Sequence, residues 1–213
     1  MLDKARYIVV EGPIGAGKTS LAHRLIGTLQ AEPLLEQPER NPFLKRFYQH
    51  IDRWALSTQL AFLMQRIEQL SALGEHLDKD KRIVSDFIFE KDPLFASLNL
   101  GEEEFALYRR IFDTLAPKSQ PKPDLVIYLQ ADADTLLERI RRRGIDTERR
   151  ITESYLAAIS ERYARFFYEY DQAPLFTVDA GVLNPVDDDG DFALLLERLR
   201  QMRGYREYFG YAG

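Results

Sequence analysis

The chain has 213 residues, 45% hydrophobic and 30% charged, the composition of an ordinary globular protein rather than a disordered or fibrous one. Without cysteine it cannot use a disulfide framework, a zinc–thiolate site, an iron–sulfur cluster or thiol catalysis. A formal net charge of −5 argues against general affinity for nucleic acid or an anionic membrane. No apolar run approaches the ~18 residues of a membrane span, and no signal-peptide core follows Met1, so a cytoplasmic protein is expected. His23, His50 and His76 are too far apart for metal-ligand spacing. No fixed-period repeat or long linker divides the sequence, and residues 1–213 are taken as one domain.

The first strand is expected at Tyr7-Ile8-Val9-Val10, near-continuously apolar as a strand buried on both faces should be. Directly after it comes Gly12-Pro13-Ile14-Gly15-Ala16-Gly17-Lys18-Thr19, a full match to G-x-x-x-x-G-K-[ST], followed by Ser20 and the helical spacing of Leu21, Leu25 and Leu29. The glycines let backbone N–H groups close around phosphate oxygens. Lys18 neutralises the β/γ region, and the Thr19 hydroxyl is placed to ligate Mg²⁺. A turn that merely caps a helix has no use for the Lys-Thr pair. Residues 12–20 are therefore expected to bind ATP or GTP with Mg²⁺.

A second strand at Pro33-Leu34-Leu35 puts Glu36 at its carboxyl end. A neutral hydroxyl acceptor gains from a carboxylate within hydrogen-bond reach, whereas a phosphate acceptor needs cations, so Glu36 points to a hydroxyl. Glu36 and Glu39 are equally compatible with solvated loop acids. The next helix carries Leu56, Leu60, Leu63, Ile67 and Leu70 on one face, and Gln59, Phe62 and Arg66 on another. An aromatic ring flanked by an amide and a guanidinium could read a base edge, or the three could form a surface stripe. After the third strand, Arg82-Ile83-Val84-Ser85, Asp86 is placed to hold Mg²⁺, with a turn former as the alternative. Asp92-Pro93 has the form of a helix start, with Asp92 accepting from first-turn N–H groups.

The fourth strand, Leu125-Val126-Ile127-Tyr128-Leu129, leads to a segment in which Arg139, Arg142 and Arg143 share a helical face before Gly144. Concentrated positive charge in a net-acidic chain fits an Arg-rich lid that stabilises a transferring phosphoryl group; the alternative is a solvated basic helix. The fifth strand is expected at Leu175-Phe176-Thr177-Val178, and Asp187-Asp188-Asp189-Gly190-Asp191 is expected to precede and cap a helix beginning near Phe192. The aromatic tail Tyr205, Tyr208, Phe209 and Tyr211 is left unassigned. Strand and helix alternate throughout, which predicts an α/β fold, a three-layer α/β/α domain on a five-stranded parallel sheet with ligands at the carboxyl ends of the strands.

Taken together these residues resemble the deoxynucleoside kinases, particularly the bacterial deoxyadenosine/deoxyguanosine kinase branch, from about Tyr7 to Ala180. The resemblance is carried by Glu11 before the phosphate loop, by Phe47-Tyr48 with Gln59 eleven residues after the tyrosine and Arg66 seven later, and by Leu137 to Gly144. Phe166-Phe167-Tyr168-Glu169-Tyr170-Asp171 is also similar. The resemblance implies a homodimer of the P-loop kinase fold that uses Mg²⁺·ATP and phosphorylates a deoxynucleoside, a purine one in this branch. By it Glu36 is the base for the 5′-hydroxyl, Tyr48 and Glu148 hold the 3′-hydroxyl, and Gln59, Arg66 and Asp92 read the base. Asp86 matches the acid of the family's Asp/Glu-Arg-Ser motif, and Arg139 and Arg143 match lid arginines.

The chain departs from the pattern at Phe87, where many relatives have Arg, at Gln37, which separates Glu36 from Pro38, and at Ile145, which replaces a lid arginine of some members. Lys91, four residues beyond Phe87, competes with the lid for the missing positive charge. The rival readings are a nucleoside monophosphate kinase of the thymidylate kinase type, with Arg40, Lys45 or Arg46 on the acceptor phosphate, and a nucleotide-dependent switch protein. The latter is disfavoured in its GTP-dependent form by the lack of Asn-Lys-x-Asp.

Overall fold

β1 (Tyr7–Glu11) is buried along its whole length, and its side chains divide between two cores according to the two-residue period of a strand. Ile8 and Val10 face one core, with Leu125, Ile127 and Leu129 of β4 (Leu125–Gln130). On that side they meet Leu21 and Leu25 of α1 (Lys18–Leu29) and Leu195 and Leu199 of α8 (Asp189–Gln201). Tyr7, Val9, Val126 and Tyr128 face the other core. There they meet Leu63 of α3 (Ile51–Asp78), Ala96 of α4 (Asp92–Asn99), Tyr108 of α5 (Glu102–Leu115) and Tyr163 of α7 (Glu153–Glu169). Helices therefore cover both faces of the sheet, the three-layer arrangement expected of buried parallel strands. This is a computed structural model, and it describes residues 1–78, 81–117 and 121–210.

With β2 (Glu32–Leu34), β3 (Ile83–Ser85), β5 (Leu175–Asp179) and β6 (Arg206–Phe209), the strands form a parallel sheet of order β2-β3-β1-β4-β5-β6. Six strands stand where the sequence reading expects five. Among the described residues β6 pairs with β5 alone, in the register Leu175↔Arg206 to Val178↔Phe209. It is an edge strand of alternating exposed and half-buried residues, so it lacks the continuous apolar run that marks the central strands. The tail packs on its own chain. Phe209 lies 6.1 Å from Phe176, Tyr205 Oη donates to the Asp171 carbonyl (2.8 Å) and Tyr208 Oη to Asp179 (3.0 Å). Tyr211 lies outside the described residues.

Two helix starts differ from expectation. α8 begins at Asp189 rather than near Phe192, because Asp188 Oδ1 accepts from the Asp191 N–H (2.8 Å) and so supplies the cap. α4 begins at Asp92 itself, with Lys91 in the cap position. The Asp92 carboxylate does not cap the helix; it is fully buried and engages Arg66 and Tyr108 instead. α6 (Ala133–Arg143) is capped by Asp132, whose Oδ1 accepts from the Thr135 N–H (2.7 Å), and ends at Gly144. Among the described residues no helix is long and apolar enough to cross a membrane.

Candidate functional site

The loops leaving the carboxyl ends of β1, β2 and β3 lie side by side because these strands are neighbours in the sheet. From β1 comes the Gly12–Thr19 loop. Gly15 there has φ +87°, and a Cβ on it would meet the Leu136 carbonyl oxygen at 2.8 Å, so the loop requires glycine at this point. Lys18 Nζ donates to the Pro13 carbonyl (3.2 Å), curling back over the loop. Burial pulls the Lys18 ammonium below its ordinary pKa, with Glu11, Glu36 and Asp86 opposing.

Asp86, just beyond β3, joins the two neighbouring loops. Its Oδ2 accepts from Thr19 Oγ1 (2.5 Å), and its Oδ1 accepts from the Glu36 backbone N–H (2.7 Å). Burial pushes the Asp86 carboxyl up, and the nearby Glu36 charge adds to that. Thr19 and Asp86 therefore place a hydroxyl and a carboxylate together at the start of α1. These are hard oxygen donors of the type Mg²⁺ takes alongside phosphate oxygens.

Glu36 lines a cavity that opens beside the phosphate loop, with Ile14, Gly15, Lys18, Thr19 and Asp86 at one end. Its Oε1 accepts from Arg66 Nε (2.8 Å) and Nη2 (2.5 Å), and its Oε2 from Lys91 Nζ (3.1 Å). Burial alone would raise this carboxyl, but Arg66, Lys91 and Lys18 overcome it and hold the pKa at about 2. Glu36 is thus a fixed carboxylate at neutral pH. Glu39, by contrast, is exposed and off the cavity wall.

The far wall of the cavity comes from α3. Gln59 and Arg66 are buried there and Phe62 lies between them, with the guanidinium 5.2 Å from the Phe62 ring centroid. The stripe is an inward-facing one. Arg66 also pairs with Asp92, whose other oxygen accepts from Tyr108 Oη, so Asp92 sits behind Arg66 rather than on the wall. Tyr48 and Glu148 line the remaining side, and Glu148 pairs with Arg143. Burial pushes the Tyr48 phenol far up, keeping it a neutral hydroxyl. The structure adds wall residues that the sequence reading did not single out: Phe95, Asn99 and Tyr155, with Tyr155 Oη donating to Asn99 Oδ1 (3.1 Å).

A second cleft lies along the other side of the phosphate loop, lined by Gly15, Ala16, Gly17, Ser20, Arg139, Arg142 and Arg143. Arg139 donates to the Ala180 carbonyl (2.5 Å) and Arg142 pairs with Asp187 (3.0 Å). Arg143 lines both spaces, the cavity beside Glu36 and the cleft along the phosphate loop. Gly12 and Pro13, at the start of the loop, line neither space. The missing motif arginine is replaced by a fully buried apolar ring, Phe87, and Lys91 is the buried cation nearest to it in sequence.

Arg40, Lys45 and Arg46, which the monophosphate-kinase reading would need, are exposed and absent from the cavity wall. Arg40 donates to Gln37 Oε1 (2.9 Å), and Arg46 packs over Trp54. Of the cations that do reach the cavity, Arg66, Lys91 and Arg143 are paired with acids, and Lys18 belongs to the phosphate loop, where it donates to the Pro13 carbonyl.

Comparison with known proteins agrees with this geometry. The chain is 32% identical over 206 residues to the deoxyguanosine kinase of Bacillus subtilis, covering 94% of this chain and 99% of that one. It is 28% identical over 192 residues to the deoxyadenosine kinase of Lactobacillus acidophilus, covering 84% and 87%. A deoxyadenosine kinase structure from M. mycoides with bound dATP superposes with a TM-score of 0.78 at 24% identity, over 91% of this chain and 99% of that one, which establishes a shared fold. The family described as deoxynucleoside kinase matches residues 8–201. With the family model spanning residues 8–201 and a relative 32% identical along nearly its whole length, the chain belongs to the deoxynucleoside kinase family.

Proposed function

We propose that this kinase transfers the γ-phosphoryl group of ATP to the 5′-hydroxyl of a purine deoxynucleoside, with Glu36 as the group that receives the hydroxyl proton. The observation that carries this reading is the position of Glu36: an ionised, doubly anchored carboxylate beside the phosphate loop, on the wall of a cavity where Arg66, Lys91 and Arg143 are each paired with an acid. The 5′-oxygen attacks the γ-phosphorus, the bond to the bridging oxygen breaks toward ADP, and the hydroxyl proton passes to Glu36. Such a transition state is loose, so the carboxylate acts mainly by holding the O–H in line.

Residues 12–20 take the triphosphate, Lys18 meets the β/γ oxygens, and Arg139 and Arg143 face them from α6. Thr19 and Asp86 would hold Mg²⁺, which supplies charge neutralisation of the phosphate oxygens when bound. Tyr48 and Glu148 meet the sugar 3′-hydroxyl, and Gln59, Phe62 and Arg66 meet the base, with Asp92 holding Arg66 from behind. An Arg66 guanidinium backed by Asp92, beside the Gln59 amide, suits a base with both donors and acceptors on its edge. The family resemblance further supports reading residues 1–213 as one domain acting as a cytoplasmic homodimer. A purine preference follows from the similarity to deoxyguanosine and deoxyadenosine kinases.

The test is ADP release measured with each deoxynucleoside, each deoxynucleoside monophosphate and no acceptor. Deoxyguanosine or deoxyadenosine should give the highest kcat/KM. Turnover confined to the monophosphates would overturn the acceptor assignment, and thymidine as the best substrate would overturn the base-recognition model.

A further inference from the structure

Lys91 closes the short helical turn Phe89–Lys91, and its side chain is only 2% exposed. A lysine this far from water must be held by acids, since an unpaired buried ammonium is strongly disfavoured. Its Nζ lies 2.8 Å from Glu11 Oε1 and 3.1 Å from Glu36 Oε2. The Glu11 partner is itself immobilised. It is the last residue of β1 and is fully buried; its Oε2 accepts from the Gly12 N–H (2.6 Å) and from Tyr163 Oη (3.0 Å). Gly12 is the residue that opens the phosphate loop. A continuous bonded path therefore runs from the phosphate loop through Glu11 and Lys91 to Glu36.

The other oxygen of Glu36 is drawn the opposite way. Arg66 brings both Nε and Nη2 to Oε1, and a guanidinium fork is shaped to take both oxygens of a carboxylate. Only Lys91 donates a hydrogen bond to Oε2 among the described residues. Without it, no other hydrogen bond to Oε2 among the described residues opposes rotation of Glu36 into a two-oxygen pairing with Arg66, away from the phosphate loop.

We propose that Lys91 is a positioning residue: anchored by Glu11, it holds Glu36 Oε2 at a fixed place relative to the phosphate loop, so that the acceptor hydroxyl and the γ-phosphoryl group meet in line. The proposal rests on Glu36 being the hydroxyl's partner. It assigns to a buried Glu-Lys pair, which could otherwise serve only the fold, the register between the donor and acceptor halves of the site.

Two variants separate the roles. Lys91→Met should lower kcat by ~10²-fold, the loss expected from misplacing a reacting group by about 1 Å, with KM for ATP changed by less than about threefold. Because that variant strands Glu11 as an unpaired buried acid, it should also lose thermal stability. In Glu11→Gln/Lys91→Met both charges are removed, and Tm should return toward the wild-type value while kcat stays low. If kcat returns together with Tm in the double variant, the pair serves only the fold and the proposal is overturned. A kcat for Lys91→Met within about threefold of wild type overturns it too, as does failure of both variants to fold. Wild-type enzyme that releases no ADP with any deoxynucleoside would instead reject the proposed function, whatever the Lys91 variants do.

Discussion

Replacing Glu36 with Gln keeps the shape of the side chain and removes its charge. The carboxyl is held at about 2 against an ordinary value of 4.5, a shift that corresponds to about 3 kcal/mol in favour of the ionised folded state. A carboxyl lowered on folding contributes stability above its unfolded pKa and loses it as pH falls toward the folded one. The contribution should therefore be complete above about pH 5, smaller by about 1 kcal/mol at pH 3.5, and gone below about pH 2. Glu36→Gln should accordingly be less stable than wild type at pH 7 in urea unfolding, and the gap should narrow on acidification. In the steady state it should lower kcat by roughly 10²–10⁴ with little change in ATP affinity. An unchanged kcat would refute the assignment. So would a wild-type activity limb near pH 5 that disappears in the variant, because that limb would mean a carboxyl titrating in its ordinary range.

Three other outcomes can be checked with the same assays. Lys18→Ala should abolish turnover and leave the fold intact, since it removes charge that only the transferring phosphates need; retention of more than about a tenth of activity would contradict the phosphate-loop role. Arg143→Ala should reduce kcat and kcat/KM together by about 10²-fold or more, with Tm of the free enzyme unchanged because its pairing with Glu148 is partly exposed. Gly15→Ala should lower stability by about 1–3 kcal/mol and weaken ATP binding, since the new methyl group needs both a disfavoured φ and space held by the Leu136 carbonyl; calorimetry that finds neither would show that the loop relaxes freely.

The parts of this molecule that were legible in the sequence are those where one physical requirement dominates. Continuous apolar runs identified β1 and β4 because both faces of those strands are covered. The phosphate loop was legible because its glycines and its Lys-Thr pair are demanded by backbone geometry and charge at adjacent positions. β6 escaped because Arg206 and Glu207 lie on an exposed edge, where no apolar pattern is required. The burial of Lys91 and Asp92 was not legible either, since the charge of a lysine or an aspartate is ordinarily read as a surface feature. Their partners lie far away in sequence, at Glu11, Glu36 and Arg66, and only the sheet order brings those positions together. For Asp92 a local rule, the helix cap, competed with a remote partner, and the remote guanidinium prevailed.

Arg66 joins two parts of the site into one unit, bonding Glu36 at the proposed hydroxyl end and, behind the wall, Asp92 at the proposed base end. On the proposed assignment, selectivity and turnover are therefore not independently adjustable. A substitution at Asp92 chosen to admit a different nucleobase would release the guanidinium, and the freed guanidinium would carry Glu36 with it. Evolution along this scaffold, or redesign of it for nucleoside analogues, must change the base end and the reacting end together, or else leave Arg66 and both of its partners in place and work from the α3 residues Gln59 and Phe62.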